Sequence, residues 1–283
     1  MVNPDDLMLM TDQEKLDLLH QIADAEEWQA CFEPIYRRLM DDDCAKVRQE
    51  ALAGLWELAD PRHIEPLMRK AQHDPDVEVR AKAASVLGIY IYETIANGML
   101  EESEFLSIRG LLLDLAQDAK ESIVVRRMAI EALSFDNDEL VQDLIEWAYG
   151  HPNKDVRMSA IFAMGRSRCS RWTEAILHEL DSQERELQLE AVNATAESGL
   201  EQATPRLRNL AASPDKEIRM AAIWALSQTR GPGAMETIEM CTQADDEEVR
   251  NVAHEALEEI YHAEREDEEY DEDDEDEPDS FRN

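Results

Sequence analysis

One amphipathic helix returns seven times along this chain, and that recurrence limits what it can fold into more than any other feature. The clearest copy reads Asp215-Lys216-Glu217-Ile218-Arg219-Met220-Ala221-Ala222-Ile223-Trp224-Ala225-Leu226. Its anchoring apolar residue falls at Val47, Val79, Val125, Val156, Leu187, Ile218 and Val249, with steps of 32, 46, 31, 31, 31 and 31 residues. Four residues past each anchor stands alanine: Ala51, Ala83, Ala129, Ala160, Ala191, Ala222 and Ala253. Arginine follows the anchor at Arg48, Arg80, Arg126, Arg157, Arg219 and Arg250, with Gln188 in the remaining copy. A fixed period of this size marks stacked supersecondary units, none of which can bury its apolar face alone.

Most copies carry a start signal, and three are preceded by a stop signal. Three residues before the anchors lie Cys44, Asp76, Ser122, Asn153, Glu184, Asp215 and Asp246. Five of these can accept the free amides of a helix N-terminus, each contributing about 1 kcal/mol over alanine. An acid precedes the anchor at Glu78, Asp155, Glu186, Glu217 and Glu248, where it complements the helix dipole. Pro75, Pro152 and Pro214 end the helix before. Thr11-Asp12-Gln13-Glu14 has capping-box spacing and predicts a helix to about Ala25 that would cover the open first repeat.

The anchor–Arg–x–x–Ala–x–x–Ala–Leu pattern after an Asp-Pro-Asp turn, at a 31-residue step, resembles HEAT repeats of the short bacterial kind, the phycobilisome-lyase HEAT-like repeats. The resemblance spans about residues 28–262. It implies an all-α, right-handed α-solenoid of about seven helix pairs, with an N-terminal capping helix in residues 1–27 and the solenoid over 28–263. It also implies that the anchor-bearing helices line the concave wall. The recurring arginines would then form a structural ladder with acids of neighbouring repeats. Fold is what such a resemblance specifies; function varies within the family from scaffolds to lyases and a hydroxylase.

The 46-residue step departs from the period. Ile89-Tyr90-Ile91-Tyr92 is read as prolonging a second helix to Asn97-Gly98, followed by a longer first helix at about Glu102 to Ala119, so that 89–119 forms a helical insertion. Residues 264–283 hold 13 acids against Arg265 and Arg282 and are expected to be a disordered acidic tail.

Net charge is −37, and most of it lies outside that tail. It excludes a nucleic-acid backbone as direct ligand, which needs clustered cations. It favours a basic protein partner, or reflects a salty cytoplasm. No run approaches the ~18 apolar residues of a membrane span, and Met1 to Met10 lacks the basic and apolar regions of a secretory signal. Cys31, Cys44, Cys169 and Cys241 form no C-x-x-C pair and are read as reduced thiols of a cytoplasmic protein.

Catalytic patterns fail. There is no G-x-S-x-G, no phosphate-binding glycine loop and no H-E-x-x-H. The dipeptides His178-Glu179 and His254-Glu255 fall on non-equivalent helices, so neither a metal site nor a cofactor is expected. The positive signal lies at positions +2 and +6 from the anchor, which point to 200° and 240° on a helical wheel, away from the core stripe. Repeats four to six place Met158, Phe162, Leu189, Met220 and Trp224 there. Two readings stay open: an exposed partner-binding groove, or side chains buried as ordinary packing between helices. The expectation is a monomeric, non-catalytic scaffold holding a partner peptide or helix on this strip. A lyase-like enzyme acting on a small molecule in the same groove is the alternative.

Overall fold

The computed structural model describes residues 6–25 and 29–275. Among these residues every regular element is helical, with 15 α-helices joined by turns and short 3-10 segments. By packing, the chain divides into two compact units, residues 1–163 and 164–283.

In the first unit, α1 (Asp12–Ala23) is followed by the pairs α2 (Glu33–Leu39) with α3 (Ala45–Gly54), α4 (Ile64–His73) with α5 (Val77–Asn97), α6 (Glu102–Gln117) with α7 (Ile123–Leu133), and α8 (Glu139–Tyr149) with α9 (Lys154–Ser167). The division between the units falls inside α9. The second unit holds α10 (Thr173–Glu179) with α11 (Arg185–Ser198), α12 (Thr204–Leu210) with α13 (Lys216–Thr229), and α14 (Ala234–Cys241) with α15 (Glu247–Glu275). These are the seven helix pairs of the repeat. The anchor helix is the second member every time.

The periodic residues make the core. All seven anchors are at most 3% exposed, and the seven alanines four residues on are fully buried. A methyl group is the largest side chain that lets a helix lie this close to its neighbours, and interiors packed to crystal density leave no slack for a larger one. Caps form where the sequence placed them. Asp76, Ser122, Asn153, Asp215 and Asp246 each accept one or two backbone amides of the first turn, while Cys44 and Glu184 make no such bond. At α1, Thr11 and Glu14 complete a reciprocal capping box. The long second helix of repeat two runs through Tyr90 and Tyr92 and stops at Gly98 in the left-handed conformation, φ 65°.

The arginine after the anchor turns back on its own repeat. Arg48, Arg80, Arg126, Arg157, Arg219 and Arg250 donate to the carbonyls of Asp42, Asp74, Ala116, His151, Ser213 and Ala244, at 2.7–3.3 Å. Gln188 reaches Leu180 O in the same way at 2.8 Å. These carbonyls lie in the last turn of the preceding helix or just beyond it, where oxygens lack helical partners. The partner common to all seven is therefore a carbonyl. Carboxylates of a following turn are added at Arg48, which pairs with Asp74, and at Arg80, which pairs with Glu121.

α15 continues to Glu275, so residues 264–275, expected to be disordered, are helical. Glutamate is a good helix former, and prolonging an existing helix needs no new nucleus. Residues 276–283 and the expected boundary at 27–28 lie outside the described residues. The four cysteines are free. Among the described residues no helix is long and apolar enough to cross a membrane.

Candidate functional site

The positions singled out by the wheel fall in both units. Met158 and Phe162 belong to the first unit, on α9, and each is half-buried. Leu189, Met220 and Trp224 belong to the second, on α11 and α13. There Leu189 and Met220 are half-buried, and Trp224 is 41% exposed. An indole left this open is not core packing.

Leu189 and Met220 form the floor of an open groove of about 620 Å³ along α11 and α13, with Asn193 and Ala221 beside them. Its wall is a row of ion pairs that ties one repeat to the next. Arg185 Nε lies 2.6 Å from Asp215 Oδ2, and Nη2 lies 3.1 Å from Oδ1 and also donates to Glu217. One repeat later Lys216 Nζ lies 3.0 Å from Asp246 and 2.9 Å from Glu248. Geometrically the two are the same device: a cation two residues before one anchor reaches the acids three and one residues before the next.

These contacts favour the charged forms of Arg185, Asp215, Lys216 and Asp246. The Arg185 guanidinium pulls the Asp215 carboxyl below its ordinary value, and the Lys216 ammonium does the same to Asp246. Glu248, then Asp246, push the Lys216 ammonium up, and Asp215, then Glu217, push up Arg185. Arg185, Asp215, Lys216 and Asp246 are thus moved away from neutrality, the opposite of what a general acid or base requires. Among the described residues no group of three His, Cys, Asp or Glu side chains is placed to hold a metal ion.

The ion-paired wall escaped the sequence reading. Its signal was present: Arg185 and Lys216 stand 31 residues apart, each followed after 30 and 32 residues by an acid. The acids were read only as caps and dipole partners, which they also are.

The HEAT repeats family profile matches residues 32–101 and 173–258, more than half of the chain. Among solved structures, the complex of CpcE and CpcF of phycocyanin lyase from Nostoc sp. is similar at a TM-score of 0.56 and 15% identity, covering 83% of this chain and 88% of that one. A chain of the Kap95p–RanGDP structure aligns at a TM-score of 0.50 and 12% identity, over 87% of this chain and 37% of that one. Human deoxyhypusine hydroxylase aligns at a TM-score of 0.39 and 16% identity, over 92% of this chain and all of that one. At these identities the likeness is one of fold. A comparison with curated protein sequences finds no match.

Proposed function

The chain belongs to the HEAT-repeat family, and from that premise we propose that it is a non-catalytic protein–protein interaction scaffold. Its second unit holds a partner peptide or helix against Leu189, Met220 and Trp224, with Met158 and Phe162 as further partner-binding positions of the first unit. The observation that carries this reading is Trp224, 41% exposed on α13 one helical turn past Met220 of the groove's floor. Exposed apolar surface next to a polar rim is a liability unless something covers it, and a flexible methionine beside an aromatic suits a protein partner. Two proteins of similar fold hold protein partners, CpcE with CpcF and Kap95p with RanGDP. A net charge of −37 favours a basic partner by long-range attraction and disfavours nucleic acid. Arg185, Asp215 and Lys216, each shifted toward its charged form by an ion pair, support a binding role over a catalytic one. We expect the free chain to be monomeric and cytoplasmic.

The test is affinity capture from native lysate with the full chain and with Leu189→Ser/Trp224→Ser. Any captured protein is then purified and its Kd measured against both baits. The reading expects one stoichiometric partner whose affinity falls at least tenfold with the variant, while the melting temperature stays nearly unchanged. A large drop in melting temperature would make the strip core. Equal affinity for both baits would move the binding site elsewhere.

A further inference from the structure

The ion pairs that wall the groove also fix its register. Arg185 reaching Asp215 and Glu217 aligns α11 with α13, and Lys216 reaching Asp246 and Glu248 aligns α13 with α15. Residues equidistant from their anchors are therefore neighbours across helices spaced about 10 Å apart. Two positions past the anchors this gives the row Leu189, Met220, Asn251. Six past gives Asn193, Trp224, Glu255, and ten past gives Glu197, Gln228, Glu259. Along each row the surface changes from apolar or neutral on α13 to polar or acidic on α15.

The acids of this surface differ in what they already hold. Asp215, Glu217, Asp246 and Glu248 are engaged by Arg185 and Lys216. Glu255 and Glu259 are exposed, lie one helical turn apart, and pair with no cation among the described residues. The groove's floor offers a partner no backbone hydrogen bonds, because Leu189, Asn193, Met220 and Ala221 lie inside helices whose amides and carbonyls are paired internally. A partner whose own backbone is already satisfied gives up least on docking there.

We infer that the occupant of the groove is a cationic amphipathic helix. Its apolar face seats on Leu189, Met220 and Trp224, and a lysine or arginine flank meets Glu255 and Glu259 of α15. This rests on the scaffold reading and adds the partner's chemistry and its orientation across the helices. Glu255 and Glu259 are then the residues that select for charge, and Trp224 is the apolar anchor.

Synthetic helix-forming peptides test this against the full-length chain, with binding read by fluorescence anisotropy. One carries a leucine face flanked by lysines, one the same leucines flanked by serines, and one the lysines with serine in place of leucine. A fourth is the leucine–lysine peptide interrupted by proline. The leucine–lysine peptide should bind tightest. Its affinity should fall roughly tenfold with Glu255→Gln/Glu259→Gln, together with a shallower salt dependence, and at least tenfold with Trp224→Ser. The leucine–serine peptide should bind both the wild type and the Glu255→Gln/Glu259→Gln variant alike. The glutamine changes lie on exposed positions and serve as the deciding variant should Trp224→Ser alter the fold.

If Trp224→Ser weakens binding and the glutamine variant does not, the charge assignment is overturned and the scaffold reading stands. A lysine–serine peptide that binds as tightly as leucine–lysine would show attraction by net charge alone and overturn the groove. Equal affinity for the proline-interrupted peptide would make the occupant extended, against the proposal. Self-association of the chain that Trp224→Ser abolishes would place a second copy in the groove, and failure of all four peptides would remove the cationic helix as occupant. The lysate capture would still decide the scaffold reading in either case.

Discussion

A Cβ built on Gly165 would stand 2.6 Å from the Cα of Ala194, closer than real contacts allow. The same meeting recurs in the first unit, where a Cβ on Gly88 would lie 2.9 Å from the Cα of Ala132. Both glycines are nine residues past an anchor, and both alanines are seven past the next one. At these two crossings, consecutive second helices approach until backbone touches backbone.

Gly165→Ala separates two opposing effects. Helix propensity favours alanine by about 1 kcal/mol. Overpacking against a backbone atom, which cannot rotate away, costs about 1–3 kcal/mol. The clash should win, giving a net loss of up to about 2 kcal/mol in urea unfolding. A gain in stability would show that the helices separate at little cost.

Arg230 ends α13 with φ 48°, a left-handed conformation that suits glycine. Twelve residues past the anchor, the same backbone is adopted by Ala59, Arg168 and Gly199. Relieving that strain is worth about 1–2 kcal/mol, and the added freedom of glycine in the unfolded chain takes back about 0.4–1 kcal/mol. Arg230→Gly should therefore raise stability by about 0.5–1 kcal/mol, read as a higher urea midpoint at constant m. A lower midpoint would mean that the Arg230 Nε bond to Ser227 O, 3.3 Å long, outweighs the strain.

These two sites show what the sequence could and could not tell. Anchors, alanines, caps and the seven pairs were readable because each depends on local chemistry repeated at a fixed step. Gly98 is legible as a helix stop, whereas nothing about Arg230 announces a left-handed backbone. It takes its conformation from the repeat, not from its own preference. For the arginine after the anchor, the family resemblance implies acids of neighbouring repeats, which Arg48 and Arg80 meet in Asp74 and Glu121. The carbonyls that all six arginines also reach carry no sequence signal. The wheel points Leu189, Met220 and Trp224 away from the core stripe, but their exposure depends on how closely adjacent helices approach, and one helix read alone does not contain that distance. Residues 264–275 were read from like-charge repulsion, while an established helix upstream carries them.

Arg48 and Asp74 form a bidentate pair at 2.7 and 3.0 Å, both less than 10% exposed. Removing either partner strands a buried charge, so Arg48→Met or Asp74→Asn should each cost roughly 3–5 kcal/mol. The double variant should lose about 1–3 kcal/mol less than the sum. Burial alone would raise the Asp74 carboxyl, but bonds from Arg48 and the Asp76 amide outweigh it and leave it below the ordinary value. A depressed carboxylate contributes its stability in full above the unfolded value of about 3.9 and loses it as pH falls through the lower folded value. Asp74→Asn should therefore flatten the acid limb of the stability profile below about pH 4. An unchanged limb would mean that other carboxylates govern acid unfolding.

Lys216 neutralises the groove wall by holding Asp246 and Glu248 across α13 and α15. All three side chains face solvent, where such pairs add little to stability, so Lys216→Ala should leave the melting temperature nearly unchanged. It should instead release two carboxylates beside Met220 and on the flank that carries Glu255 and Glu259. Binding of the leucine–lysine peptide should then tighten roughly three- to tenfold at low salt, with a steeper salt dependence. Weaker binding would mean that Lys216 itself contacts the occupant, or that the register it enforces between α13 and α15 matters more than its charge. Lys216→Arg separates those outcomes, because it keeps the cross-helix pair and should bind the peptide as the wild type does.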